Sequence, residues 1–270
     1  MILVNSIETQ DIPVSDRGLQ YGDGLFETIE VRDGQCPHWQ RHMQRLARGC
    51  ALLGIAKPDV SVLHEEAKRV CNDQTKAILK IIITRGSGGR GYKTPDNPEP
   101  TRILSLHPWP TYPDSHYQEG VCLHLCHTTL STQPALANIK HLNRLEQIMA
   151  RREWNEPDIA EGLMSDASGQ VIEGTMTNLF AIHDGALLTP VISQCGIAGI
   201  MRERIIEAAS IMSISVSETA LRTDDLYTMD ELFVCNSIVG IWPVRRLMSQ
   251  PYTAPGALTQ QLQEYFAVNN

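Results

Sequence analysis

Ala137-Asn138-Ile139-Lys140-His141-Leu142-Asn143-Arg144-Leu145-Glu146 sets one lysine between a polar loop at 128–141 and a stretch from about 142 to 154 that reads as an amphipathic helix. By spacing alone Lys140 is a surface charge, because nothing in the pattern shows it desolvated or nucleophilic. Beyond it, strand-like pieces at 159–165, 171–175, 178–183 and 186–189 are joined by the turns Ser168-Gly169 and Asp184-Gly185. Gly199 precedes a helical pattern over 201–212, residues 231–235 and 239–245 read as paired strands, and 255–266 reads as a closing helix. Before it, 121–127 alternates like a strand, and Pro108, Pro110 and Pro113 break an aperiodic segment. The first third carries a small hairpin at 2–8, strands at 24–31, 76–84 and 102–106, and helices at 39–53 and from 58 to about 71. Hairpins with intervening helices, rather than regular βαβ winding, predict an α+β protein. Its expected domains are a small one at 1–108, a linker at 109–119 and a larger one at 120–270 that carries Lys140.

Composition bounds the function. The chain has 270 residues, 42% of them hydrophobic and 20% charged, which is ordinary globular usage and excludes disorder as the main state. Its formal charge of −8, with no Lys/Arg tract, argues against binding nucleic acid. No apolar run reaches the roughly 20 residues of a spanning helix, so no membrane partner is expected. Met1-Ile2-Leu3-Val4-Asn5 lacks a basic region and a long apolar segment, so no signal peptide is expected. Seven scattered cysteines, an odd number, fit a reducing compartment, and the cytoplasm is the expected location.

The motifs are weighed against their plain structural readings. Cys122-Leu123-His124-Leu125-Cys126-His127 resembles a metal-ligand group, but strand alternation already puts Cys122, His124 and Cys126 on one face. No second ligand pair follows, so no metal is expected. Gly22-Asp23-Gly24 precedes a strand instead of linking strand to helix, and it fails as a dinucleotide loop. Thr84-Arg85-Gly86-Ser87-Gly88-Gly89-Arg90-Gly91-Tyr92-Lys93 is different. Its glycines let backbone N–H groups converge on an anion, and its interleaved cations have less reason to sit in a plain hairpin tip.

The string Ile139-Lys140-His141-Leu142-Asn143-Arg144-Leu145-Glu146, with Val171-Ile172-Glu173-Gly174 and Asn178-Leu179-Phe180, is similar to the class-IV aminotransferases. Asp16-Arg17-Gly18, Tyr21-Gly22-Asp23-Gly24-Leu25-Phe26-Glu27, His42-Met43-Gln44-Arg45-Leu46 and Gly199-Ile200-Met201-Arg202 extend that resemblance over almost the whole chain. Within the family, the glycine–arginine loop and the lysine string resemble the aminodeoxychorismate lyase branch. The resemblance implies a two-domain fold-type IV enzyme that uses pyridoxal 5'-phosphate and is a homodimer. It implies conversion of 4-amino-4-deoxychorismate to 4-aminobenzoate and pyruvate in folate biosynthesis. The alternatives on the same fold are a D- or branched-chain amino acid transaminase and a metabolite-binding protein that kept the scaffold.

Matched residue by residue, the resemblance makes Lys140 the amine that bonds the cofactor and then serves as base, and Glu173 the carboxylate facing the ring nitrogen. It gives Arg45, the backbone of Ile200 and Met201, Asn236 and Ser237 to the cofactor phosphate, and Thr177 to the cofactor's edge. Thr28 is expected to assist near the substrate, and Arg90 and Arg85 to meet its carboxylates.

Overall fold

The computed structural model describes residues 1–269. The chain divides into two units, one of residues 1–110 with 139–143, the other of residues 111–138 with 144–269. In the first unit β1 (Ile2–Val4) and β2 (Ile7–Glu8) form the hairpin, followed by α1 (Arg17–Tyr21) and β3 (Gly24–Arg32). Then come α2 (Trp39–Leu53), α3 (Val60–Cys71), β4 (Lys76–Thr84) and β5 (Thr101–Pro108). The sheet is antiparallel, in the order β2-β1-β5-β4-β3. Alternation along β3 buries Leu25, Glu27, Ile29 and Val31 and leaves Phe26, Thr28 and Glu30 half-buried on the other face. Helices α2 and α3 pack on the sheet with Met43, Leu46, Cys50, Leu63, Ala67 and Val70 buried. Gly54 in the left-handed region closes α2, and Asp59 caps α3 by accepting from the Ser61 N–H.

Lys140 belongs to this unit, not to the C-terminal one where the sequence reading put it. The reason is backbone pairing. The Phe26 N–H donates to the Lys140 carbonyl at 2.9 Å, and the Leu142 N–H donates to the Gly24 carbonyl at 3.0 Å. Leu25 and His141 thereby form an antiparallel bridge on the outer edge of β3. Because His141 and Leu142 are held extended, the following helix starts three residues later than its periodicity suggests.

The second unit contains α4 (Ser115–Gln118), β6 (Val121–Leu125), α5 (Leu145–Arg151), β7 (Ile159–Ser165), β8 (Val171–Gly174) and β9 (Asn178–His183). It continues with β10 (Ala186–Pro190), α6 (Ile200–Ile211), β11 (Val216–Thr219), α7 (Thr223–Leu226), β12 (Glu231–Asn236), β13 (Gly240–Leu247), β14 (Gln250–Pro251) and α8 (Ala257–Val268). The strand order is β11-β10-β9-β12-β13-β6-β7-β8, with β14 beside β13. The pairs β6–β7, β6–β13 and β10–β11 are parallel, a mixture that hairpin reading of the sequence does not supply. Both faces of the central strands are buried. Leu179, Ala181, Leu232 and Val234 join Trp242 in one core, while Phe180, Ile182, Phe233 and Cys235 join residues of α6 and α8 in another. Strands covered on both sides read as continuous apolar runs, as β9 and β12 do. A third cluster, with Cys126, Ala150, Trp154, Met164 and Ile172, seats α5 against β7. Among the described residues no helix is long and apolar enough to cross a membrane.

The glycine–arginine loop leaves β4 at Thr84 and is tightly built at its start. Gly86 has φ +86°, and a Cβ there would lie 1.8 Å from the Glu99 carbonyl oxygen. Gly86→Ala therefore meets both a left-handed strain and a backbone clash. A loss of about 2–4 kcal/mol in urea unfolding is expected.

Candidate active site

In the first unit Phe26, Thr28, Lys80 and Lys140 gather on the face of the sheet opposite α2. The Lys140 ammonium stands 4.4 Å from the centroid of the Phe26 ring, and the Lys80 ammonium 5.5 Å from the same ring. Lys80 is the cross-strand partner of Thr28, so Thr28, Phe26, Lys80 and Lys140 form one cluster. Sequence reasoning missed Lys80. Its signal was a cation in the alternation of β4, with Ala77, Leu79, Ile81 and Ile83 buried and Ile78, Lys80 and Ile82 on the other side. Cation–π attraction holds an ammonium where no counter-ion is needed and fixes its approach to the ring.

Beneath the sheet, Glu27 sits in the apolar phase of β3, 1% exposed. Both its oxygens are bound: Arg45 donates from Nε at 2.8 Å and from Nη2 at 2.5 Å, and His42 Nδ1 is at 2.7 Å. Burial pushes the Glu27 carboxyl up, but the Arg45 charge, its hydrogen bonds and His42 outweigh burial and hold the pKa at about 2. The spacing His42-x-x-Arg45 puts both partners on one face of α2, which is why a single carboxylate serves them. The fork fixes the plane of the Arg45 guanidinium, the group matched to the cofactor phosphate.

The two loop arginines part company. Arg85 is 5% exposed and donates to both oxygens of Asp23, at 2.7 and 2.9 Å, and to the carbonyls of Leu53 and Gly54 at the end of α2. It is a brace between loop and helix, and its expected part in substrate binding is corrected accordingly. Arg90 is exposed. The loop beside it is anchored, since the Gly91 carbonyl accepts from Arg17 and the Gly91 N–H donates to the Tyr21 hydroxyl.

In the second unit Glu173 ends β8, 4% exposed, and its Oε2 accepts the Ile197 N–H at 2.8 Å. Three residues on, α6 begins at Ile200 with Gly199 as its N-cap and no side-chain cap. The first amides of a helix have no intrahelical partner and favour an anion, so Ile200 and Met201 fit a phosphate. A Cβ at Gly199 would lie 1.9 Å from Asn178 Oδ1, so a side chain here would have to push the Asn178 amide aside. Thr177 is placed otherwise than expected. Its hydroxyl donates to Glu161 at 2.9 Å, and Glu161, fully buried, also accepts from the Thr175 hydroxyl and from the N–H groups of Thr175 and Met176. Burial pushes the Glu161 carboxyl up against these hydrogen bonds. Thr177 thus braces the loop after Glu173 instead of pointing its hydroxyl's proton at a cofactor edge. Asn236 accepts from the N–H groups of Ile238 and Val239 and donates to the Met176 carbonyl at 3.1 Å, which ties the turn holding Ser237 to the same loop.

The family model for amino-transferase class IV matches residues 24–247. The chain belongs to the class-IV aminotransferase family. An aminodeoxychorismate lyase of Vibrio harveyi is 35% identical over 266 residues, covering 97% of this chain and 98% of the relative. The crystal structure of 4-amino-4-deoxychorismate lyase from Pseudomonas aeruginosa is 43% identical, with a TM-score of 0.95 over 98% of each chain. The Escherichia coli branched-chain amino acid aminotransferase is 26% identical, with a TM-score of 0.86 over 99% of this chain and 93% of that one. The two-unit architecture is thus the fold-type IV one expected from the sequence.

The Glu27 pair ties stability of this class-IV fold to acid. A pKa held at about 2, below the ordinary 4.5, contributes stability that is complete above pH 4.5 and is lost as pH falls through 2. The full contribution is about 3 kcal/mol. Glu27→Gln should lower stability at pH 7 by about 3–5 kcal/mol by leaving Arg45 buried without its counter-charge. It should also flatten the acid limb between pH 4.5 and 2, checked by urea unfolding of both proteins across that range.

Proposed function

We propose that this protein is a pyridoxal 5'-phosphate-dependent lyase that converts 4-amino-4-deoxychorismate to 4-aminobenzoate and pyruvate in folate biosynthesis. The observation that carries this reading is the end-to-end likeness to two lyases of that name. The groups each unit carries support this reading: in the first a lysine on an aromatic face and a fixed guanidinium, in the second a buried carboxylate and a helix start without a side-chain cap. Bound there, the cofactor supplies an aldehyde for the substrate amine and a ring that accepts electrons from the carbon next to it.

The protein's own groups supply the rest. Lys140 would hold the cofactor through Nζ, and its amine, once freed, would take the proton from the substrate carbon bearing nitrogen. Glu173 would face the cofactor's ring nitrogen and keep it protonated, its carboxylate fixed by the Ile197 N–H. Arg45, held by Glu27 in the first unit, and the first amides of α6, Asn236 and Ser237 in the second would be the phosphate's partners. The substrate carries two carboxylates, each of which needs a cation or converging N–H groups to leave water. Arg90 and Lys80 are the cations proposed for them, and the Thr28 hydroxyl lies on the Lys80 face to orient the reacting carbon's substituents. Expulsion of the enolpyruvyl group makes the ring aromatic, so orientation and proton control are what the protein must provide.

The assembly is a homodimer in this reading. Helix α5 leaves Leu145, Ile148 and Met149 exposed at i, i+3 and i+4, an apolar stripe that a second subunit suits. All seven cysteines are free thiols, which suits the cytoplasm.

Lys140→Ala should abolish turnover and remove the borohydride-fixed mass increment from the peptide that carries residue 140. A near wild-type rate without added amine overturns the assignment. A D- or branched-chain amino acid alone should leave the wild-type cofactor in its aldehyde form, whereas full conversion to the amine form makes the chain a transaminase. Arg90→Ala should raise KM and cost about 1.5–3 kcal/mol in kcat/KM with unchanged cofactor content. Kinetics within twofold of wild type would remove Arg90 from the substrate site.

A further inference from the structure

On the second unit, at the end of β6, three side chains of different chemistry converge. A ring nitrogen of His124, Cys126 Sγ and a carboxylate oxygen of Glu153 all lie within 4.8 Å of one another. His124 lies in β6 and Cys126 one residue past its end, and Glu153 comes from the turn two residues past α5. The Cys122–His127 segment contains no second ligand source of its own. Glu153, 26 or more positions away in the chain, supplies it.

Each donor is held in place by something else. The Glu153 oxygens accept the N–H groups of His127 at 2.6 Å and Thr128 at 2.8 Å, so the carboxylate is fixed without using all its lone pairs. His124 Nε2 is 3.3 Å from Glu153 Oε2, and its ring lies 5.5 Å from that of Trp154. Cys126 is buried, and a Cβ on Gly162, the strand neighbour of His124, would come within 2.6 Å of its sulfur and of the Trp154 ring. The bare glycine is what gives the thiol its room. A further imidazole, His127, stands 6.4 Å from His124, ring to ring.

We propose that His124, Cys126 and Glu153 form a zinc-type divalent metal site. In a tetrahedral site with bonds of about 2.0–2.3 Å, donor atoms are about 3.3–3.8 Å apart, so the present spacing closes with shifts of about 1 Å. A thiolate, an imidazole and a carboxylate together select zinc over the hard cations magnesium and calcium, which take oxygen alone. The local field favours a cation. The Glu153 carboxylate beside the Cys126 thiol attracts a dication, which displaces the thiol proton. The balance is one Cys126 S–H bond broken, one sulfur–zinc bond formed and one proton released to solvent, with no change in oxidation state. His124 contributes the Nε2 lone pair, and its contact to Glu153 is replaced by their shared ion. Such an ion joins β6 to the end of α5 as a structural cross-link, away from the cofactor residues of this unit in sequence and independent of the lyase reading.

The test uses the intact cofactor-loaded protein, stripped with a chelator and titrated with zinc chloride by calorimetry, then examined by zinc-edge X-ray absorption. One zinc per chain, about one proton released, one sulfur neighbour near about 2.3 Å and nitrogen or oxygen neighbours near about 2.0–2.1 Å are expected. Cys126→Ser should remove the sulfur neighbour, and His124→Gln should weaken binding at least about tenfold. Cys122→Ser, two residues before His124 on the same face of β6 and outside the cluster, should change neither. Binding well below one zinc per chain, a spectrum with no sulfur neighbour in the wild type, or equal affinity in wild type and His124→Gln overturns the proposal. Should Cys126→Ser fail the far-ultraviolet dichroism check for folding, half-buried His124 still gives the deciding variant.

Discussion

The outer edge of β3 has N–H and C=O groups that must find partners, and residues 139–143 supply them. An unpaired edge is a liability that proteins cover, and here the covering segment is the one that carries Lys140. The position of the lysine is therefore set by main-chain hydrogen bonds, which do not depend on the side chain. Its ammonium emerges over Phe26 because Phe26 is the residue paired with it. Short backbone tethers on both sides keep the root of the side chain fixed.

Buried and half-buried carboxylates organise the rest of the molecule. Glu27 holds Arg45 and His42, Asp23 holds Arg17 and Arg85, and Glu161 gathers the loop from Thr175 to Thr177. Glu231 plays the same part for α8, accepting the N–H groups of Leu258 and Thr259 and the Thr259 hydroxyl. Each is costly to desolvate, and each is matched with several donors. A fixed charge with all its bonds made holds a loop to one geometry more strictly than apolar contacts do, which suits loops that must present backbone amides to a ligand.

Much of this was legible in the sequence. The alternation of β3, the Gly54 stop of α2 and the Gly199 start of α6 gave their elements directly, because local sterics and capping act over a few residues. Glu27 in the apolar phase of β3, with His42 and Arg45 one turn apart on the next helix, carried a readable sign of pairing. The parallel neighbours of β6 and the membership of Lys140 in the first unit were not legible. Both depend on pairing between segments far apart in the chain, which no local period records. Arg85 and Thr177 had the right chemistry for ligands, but their partners are main-chain carbonyls and a carboxylate from β7, positions that only the folded chain brings near. Glu153 was hidden for the same reason, since its hold on His127 and Thr128 is through backbone N–H groups.

The parallel pairing of β6 with β13 carries a consequence for how the chain comes into being. Val121 lies beside Val244, so the strand in the middle of the second sheet waits for a partner made more than a hundred residues later. Contacts of such long range slow folding and leave apolar strands without cover in the meantime. On the ribosome, β6, β7 and β9 leave the exit tunnel before β12 and β13 exist to close over them. The nascent second unit is thus exposed for most of its synthesis, and chaperone engagement should be concentrated there rather than on the first unit, whose sheet strands all lie within the first 108 residues.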